Sequence, residues 1–240
     1  MPLRPLPLSD ENDYRSFLFE LCKFCQFKTI VEIGVQTGET TARLCEVAKQ
    51  TRGKVFGYDF FEPIGEYGPS SISKENVDKM LISRGFENNT FKITKVNTRT
   101  EEFSKILKED TGGKIDFAFI DADHSYNGIK NDFLKVYLLL AEDGMITLHD
   151  TYSHIGCRKF VIDLYQELND GTFDVINFPH GFGSIRAGLT LVAKRSYPLY
   201  ATNLNFPHYS DGKHIPKEEV YEEEKVWYDK QIKTPCPTQC

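Results

Sequence analysis

The stretch Thr29-Ile-Val-Glu-Ile-Gly-Val-Gln-Thr-Gly-Glu-Thr40 decides the fold, because an apolar run ends in a glycine-bearing turn and passes directly into an amphipathic segment. That is a strand, a turn and a helix in succession. Gly34 and Gly38 allow the backbone to approach a ligand closely, and Thr37 or Thr40 is placed to cap the helix. The glycines are spaced G-x-x-x-G, which is neither the G-x-G-x-x-G of dinucleotide folds nor the start of a phosphate loop. Glu32 is the informative residue of the turn. A carboxylate there repels a pyrophosphate and suits an ammonium or a sulfonium.

Outward from this turn, short apolar runs alternate with helical ones. Strands are expected at Thr29–Ile33, Lys54–Asp59, Phe91–Val96, Ile115–Ile120 and Met145–His149, and helices at Thr40–Lys49, Lys74–Arg84, Glu101–Lys108 and Tyr126–Leu140. This alternation specifies a parallel sheet with helices on both faces. A further helix at Gly156–Leu168 precedes Phe173–Phe178, the loop His180–Ser184 and Gly188–Ala193. No helix fits between those last two runs, so they pair as an antiparallel hairpin added to the parallel strands. The expected architecture is α/β and Rossmann-like: a seven-stranded, mostly parallel sheet with a terminal antiparallel hairpin. It occupies residues 28–195, between an N-terminal arm and helix (1–27) and an aromatic extension (196–240).

Composition excludes several classes of function. With 29 Lys and Arg against 35 Asp and Glu in 240 residues, the formal charge is −6, and no basic cluster suits a nucleic-acid partner. The longest apolar run, Val136–Ala141, is far too short to span a bilayer, and the proline-rich start lacks the apolar segment of a signal peptide. Six cysteines are too few for a disulfide scaffold, so a reduced, cytoplasmic protein is expected. Cys22-x-x-Cys25 and Cys236-x-x-x-Cys240 have zinc-like spacings, but the first pair sits in a helical pattern and reads as buried small hydrophobes. Seven aromatics between Tyr197 and Tyr228 suggest that the extension packs on the domain, covers a pocket or contacts a second copy, favouring self-association. The run Lys217–Lys225 reads as an exposed helix face.

Ligands of an open parallel sheet bind beyond the carboxyl ends of its strands. At the second of these ends stands Asp59, 21 residues past Gly38, where an acidic side chain accepts both hydroxyls of a ribose. Adenosine joined to a cationic amino acid satisfies both Glu32 and Asp59. The fourth strand ends in Ile120-Asp-Ala-Asp-His-Ser-Tyr126 and the fifth in Thr147-Leu-His-Asp150. Neighbouring strands lie about 4.8 Å apart, so Asp121 and Asp150 can converge on one ion. Such a set suits magnesium or manganese, while His149 could equally attract iron or zinc. The alternative is that His149 and Asp123 cap helices or line a polar sheet edge.

On Glu32–Thr40 and Asp59 the sequence resembles the class I S-adenosylmethionine-dependent methyltransferases. The resemblance implies that Glu32 meets the methionine ammonium, that Gly34 and Gly38 line the cofactor, that Asp59 binds the ribose and that Asn97 lies at the adenine edge. Residues 120–132 and 143–150 further resemble a metal-dependent O-methyltransferase branch, which includes macrolide sugar methyltransferases and relatives labelled cephalosporin hydroxylases. That resemblance implies Asp121 and Asp150 as metal ligands, His149 as a third and His124 as the general base.

The expected chemistry is methyl transfer to a hydroxyl of a sugar or other vicinal diol, supported by a divalent cation, with His124 removing the proton. Three competitors stand beside it: a non-haem iron oxygenase using His124, His149 and a carboxylate, an NAD-dependent oxidoreductase, and a silent adenosylmethionine-binding protein. Glu32 and Asp59 are unexplained by the first, and the missing third glycine counts against the second.

Overall fold

Burial on both faces explains why the strands read as nearly continuous apolar runs. In the computed structural model, residues 14–62, 72–169, 171–178, 187–195, 209–210 and 213–214 are described. The chain runs α1 (Tyr14–Phe24), β1 (Thr29–Ile33), α2 (Glu39–Thr51), β2 (Lys54–Asp59), α3 (Lys74–Ser83), β3 (Phe91–Lys95) and α4 (Glu101–Thr111). It continues through β4 (Ile115–Ile120), α5 (Tyr126–Tyr137), β5 (Leu140–His149), α6 (Ile155–Gln166), β6 (Phe173–Phe178) and β7 (Leu189–Lys194). The seven strands form one sheet in the order β3-β2-β1-β4-β5-β7-β6. Strands β1 to β5 are parallel, and β7 enters antiparallel between β5 and β6.

Period-two alternation sorts the core into two layers. Val31, Ile33, Phe56, Tyr58, Ala118, Ile120, Ile146 and Leu148 pack with Phe103, Leu107, Phe133, Val136, Phe160 and Leu164 from α4, α5 and α6. Ile30, Val55, Phe91, Phe117 and Phe119 pack on the other face with Leu18, Cys22, Leu44, Val47, Val77 and Leu81 from α1, α2 and α3. Burying each such large side chain contributes roughly 1.5–3 kcal/mol. Cys22 is thus a core residue, while Cys236 and Cys240 lie outside the described residues.

Register sets up the site. Ile33 lies opposite both Tyr58 and Ile120, and Ile120 opposite Leu148, so Gly34, Asp59, Asp121 and His149 leave the sheet along one edge. The strand order reverses between β1 and β4, which is the switch point where ligands of such sheets bind.

Two expectations need correction. The helix expected to reach Leu140 ends at Tyr137, and Leu140 pairs with Ile115 at the start of β5. Leu138–Ala141 is apolar enough for either pattern, and strand pairing with β4 decides it. An irregularity at Glu142–Gly144, where Asp143 has φ +61°, then resets the register before Met145. Helix α2 starts at Glu39 with Gly38 as its N-cap in the left-handed region, with no side-chain cap, so neither Thr37 nor Thr40 caps it.

The sheet and its helices belong to the first of two units, residues 1–169 with 173–196. In the second, Tyr209–Ser210 and Lys213–His214 pair antiparallel. The N-terminal arm, the loop His180–Ser184, the run Lys217–Lys225 and the rest of the aromatic extension lie outside the described residues. Among the described residues no helix is long and apolar enough to cross a membrane.

The sheet edge makes a sharp prediction. A Cβ at Gly34, whose φ is +92°, would stand 1.9 Å from the carbonyl oxygen of Asp121, a backbone atom that cannot swing away. Gly34→Ala should therefore destabilise the chain by about 3 kcal/mol, combining overpacking with an unfavourable φ. Urea unfolding monitored by circular dichroism measures it, and a loss under about 1 kcal/mol would mean that the two segments separate readily.

Candidate active site at the carboxyl edge of the sheet

Alternation along β1 turns Glu32 towards α2, where it is fully buried and accepts a hydrogen bond from the Thr41 hydroxyl. Its other oxygen, Oε1, has no hydrogen-bond partner among the described residues. Burial raises its pKa to about 8 against the Thr41 bond, with Asp121 and Asp59 adding to the rise. Glu32 is thus a carboxyl group without a counter-charge, the condition a cationic ligand would relieve.

Asp59 holds the turn after β1 from below. Its Oδ2 accepts from the backbone N–H groups of Val35 at 2.9 Å and Gln36 at 2.8 Å, and its Oδ1 from Phe61 N–H at 2.7 Å. Three backbone donors make Asp59 a clamp on the turn, a role the acid-after-strand pattern does not reveal, and they leave one of its lone-pair sites, on Oδ1, open to a further donor. Gln36 takes φ +50° in this turn, which leaves Gln36 and Thr37 exposed at its tip. Gly34 and Gly38 are required by the protein's own packing, since Cβ atoms there would strike Asp121 and the side chains of Met80 and Val77. Asn97, exposed just past β3, accepts from Arg99 N–H at 3.0 Å and opens the turn into α4.

Across the edge, Asp121, His124, His149 and Asp150 converge. His149 Nδ1 lies 3.2 Å from Asp121 Oδ1 and 3.6 Å from Asp150 Oδ1, and His124 Nε2 lies 3.4 Å from Asp121 Oδ1 and 3.2 Å from Asp150 Oδ2. Asp121, His149 and Asp150 offer three donor atoms within 4.8 Å of one another, a set with the chemistry of a divalent-metal site. Asp123 stays outside the cluster. It pairs with Arg99 and accepts from Ser125 N–H at 2.9 Å, and Ser125 rather than Asp123 is the N-cap of α5.

These ionisations depend on one another. Hydrogen bonds to Asp121 and then Asp150 push His124 up to about 9. Burial opposes the charge on His149, but its hydrogen bonds to the same carboxylates prevail and bring it also to about 9. Burial likewise opposes ionisation of Asp121 and Asp150, yet both are held below the usual carboxylate range by the imidazoles.

Sequence reasoning missed His154. It stands four residues beyond Asp150, at the N-cap of α6, with Nδ1 3.5 Å from Asp150 Oδ2 and its ring stacked on His124 at 4.0 Å between centroids. The signal was there, since Asp150-x-x-x-His154 places both residues on one turn of chain entering a helix.

A family model described as a methyltransferase domain matches residues 31–151, half of the chain, and the chain belongs to that family. Its fold is that of class I methyltransferases, as three solved structures illustrate. The O-methyltransferase TomG from Streptomyces achromogenes, involved in tomaymycin synthesis and solved with S-adenosylmethionine, has a TM-score of 0.62 at 16% identity, covering 79% of this chain and 83% of that one. An O-methyltransferase from Bacillus cereus in complex with S-adenosylhomocysteine gives 0.60 at 16% identity, with 80% and 84% covered. An rRNA methylase from Streptococcus thermophilus gives 0.53 at 15% identity, with 81% and 99% covered. No curated protein matches the chain.

A pH dependence of stability follows from the raised values. Glu32, His124 and His149 all hold protons in the folded state that the unfolded chain has released, so stability should fall as pH rises from about 4.5, through Glu32 first and the two histidines above 6.5, to about 9. The window runs from the unfolded carboxyl and imidazole ranges up to the folded values. Urea midpoints measured with a chelator present should show the decline, and Glu32→Gln should remove its lower part while leaving the histidine part above 6.5. A midpoint independent of pH across that window would contradict the burial of Glu32.

Proposed function

We propose that the protein transfers a methyl group from S-adenosylmethionine to a hydroxyl of a small molecule with vicinal oxygens, such as a sugar or glycoside. In this reading Asp121, His149 and Asp150 hold a divalent cation of the magnesium class, and His124 is the general base. The observation that carries it is the double position of Asp121. Its backbone packs on Gly34 in the turn beside Glu32, and its carboxylate belongs to the His/Asp cluster. Methyl donor and acceptor hydroxyl would therefore be held side by side, as displacement at a sulfonium carbon requires.

The residues fit both groups. Glu32, with one buried oxygen unpartnered, suits the ammonium of the donor, and Asp59 suits its ribose. Two carboxylates and an imidazole suit a divalent cation. The O-methyltransferases among the structural neighbours support oxygen as the acceptor atom, and the motif resemblance of residues 120–132 and 143–150 supports a sugar-like substrate. A bound divalent cation supplies Lewis acidity, which brings the acceptor hydroxyl's pKa towards neutrality. With Asp121 and Asp150 engaged by the cation, the hydrogen bonds that hold the His124 proton would be lost and the imidazole would be freed to act as a base. Its Nε2 then takes the hydroxyl proton while the carbon–oxygen bond forms and the carbon–sulfur bond breaks, the electron pair leaving on sulfur. A ferrous oxygenase built on His124, His149 and one carboxylate uses the same cluster but leaves buried Glu32 without a role.

Calorimetry should show 1:1 binding of S-adenosylhomocysteine, weakened by about 1.5–3 kcal/mol in Asp59→Ala, the worth of a hydrogen bond to a charged group. Undiminished affinity would remove Asp59 from the ribose site. Chelation should abolish methyl transfer to a panel of glycosides while leaving that binding largely intact. His124→Ala should lower turnover by about 10²–10⁴-fold and remove the acid limb of the pH profile. Turnover that needs ferrous iron and dioxygen, and proceeds without the sulfonium donor, would replace methyl transfer with oxygenation.

A further inference from the structure

The two oxygens of Asp150 face different partners. Oδ1 faces His149 Nδ1 at 3.6 Å and accepts from the Ser153 hydroxyl at 2.8 Å, whereas Oδ2 faces His124 Nε2 at 3.2 Å and His154 Nδ1 at 3.5 Å. Two groups of donors therefore share this carboxylate: Asp121, His149 and Asp150 on one side, and His124, Asp150 and His154 on the other. We propose that His124, Asp150 and His154 form a second metal site, selective for a nitrogen-preferring ion of the zinc class and bridged to the first site by the Asp150 carboxylate.

Chemistry and spacing both support this assignment. Two imidazoles and one carboxylate are a donor set for zinc or its late first-row neighbours, which take nitrogen far more readily than magnesium does. Zinc bonds of about 2.0–2.1 Å place tetrahedral ligands roughly 3.3–3.4 Å apart, and the distances from Asp150 Oδ2 to the two histidine nitrogens are 3.2 and 3.5 Å. Stacking, with 23° between the planes, turns one nitrogen of each ring towards the same oxygen. The His154 side chain is 46% exposed, so its ring can rotate into line with an ion. His154 occupies the N-cap of α6 without making a side-chain capping bond, and its Nδ1 instead lies 3.0 Å from the Ser153 hydroxyl, a contact that an ion at this nitrogen would replace. Asp150 itself stands at φ +56°, a conformation in which a non-glycine residue is uncommon and which aims its two oxygens at the two sets.

The consequence for catalysis rests on the methyl-transfer reading. An ion in the second site occupies His124 Nε2, the nitrogen that would accept the substrate proton, so zinc inhibits turnover while a magnesium-class ion in the first site supports it.

The test uses the full chain with saturating magnesium and no methyl donor, titrated with cobalt(II) as a spectroscopic stand-in for zinc. Wild type should bind cobalt with the visible absorption of a four- or five-coordinate, nitrogen-ligated ion. His154→Asn should lose that band and bind cobalt at least about tenfold more weakly, while His149→Asn keeps the band. If His154→Asn binds cobalt with unchanged affinity and spectrum, or if His149→Asn alone abolishes the band, the ion sits with Asp121 and His149 and the second site does not exist. Circular dichroism verifies that each variant is folded. In methyl-transfer assays, with each protein compared to its own zinc-free rate, His154→Asn should resist zinc at least about tenfold better than wild type, and equal sensitivity overturns the inhibitory role. The cobalt spectrum needs neither donor nor acceptor, so an absence of methyl transfer and an absence of the second site are separate results.

Discussion

The contact of Gly34 with the backbone of Asp121 is the constraint on which the rest of the site depends. The last ladder bonds of the neighbouring strands, Gly34 N–H to Tyr58 O at 2.9 Å and Asp121 N–H to Ile33 O at 2.8 Å, draw the ends of β2, β1 and β4 together. With no side chain at Gly34, the turn after β1 lies directly on the start of the Asp121–His124 segment. A second glycine repeats the device on the far side. A Cβ at Gly156 would stand 2.3 Å from His124 O, so α6 can seat its first turn against the segment that carries His124. Backbone-to-backbone packing, fixed by two glycines, therefore sets where His124 and Asp121 stand between β1 and α6. Side chains refine the arrangement but do not create it.

The parts of the molecule that were legible in the sequence are those governed by periodicity. Thr29–Ile33 alternates, so Glu32 had to share a side with Ile30, and its burial against α2 follows once both faces are covered. Asp121 and Asp150 were legible because both end apolar runs of strand length, and they converge because the structure makes those strands parallel neighbours. What escaped was settled by tertiary competition or by loop geometry. Leu138–Ala141 satisfies helix and strand patterns equally, and only its pairing with Ile115 ends α5 at Tyr137. Asp59 looks like any acid after a strand, and its three backbone bonds depend on the path of a turn that Gln36 completes with a positive φ. The Thr37 and Thr40 caps failed for the same reason: Gly38 in the left-handed region already turns the chain into α2. His154 needed the direction of α6 before its ring could be placed on His124.

Charge organises the edge at a further level. Four carboxyl groups, Glu32, Asp59, Asp121 and Asp150, gather at the ends of neighbouring strands, and each meets its burial differently. Asp59 uses three backbone N–H groups, and Asp121 and Asp150 use the imidazoles of His124 and His149. Among the described residues Glu32 has only the Thr41 hydroxyl, too weak a donor to offset complete burial beside other acids, and its pKa is pushed up to about 8.

That difference separates what each half of the edge asks of a ligand. Around Asp121 and Asp150 the protein supplies its own cations, so a metal ion must displace protons from His124 and His149 and competes with them as pH falls. Around Glu32 no cation is supplied among the described residues, and its carboxyl, pushed up to about 8 by burial, would ionise more readily beside a positive charge. In the proposed reading, a ligand that brings an ammonium to this position would gain most where it also releases the Glu32 proton. A phosphate-bearing cofactor would meet the opposite condition at the same turn, where a buried acid stands close by and the Val35 and Gln36 N–H groups are already committed to Asp59.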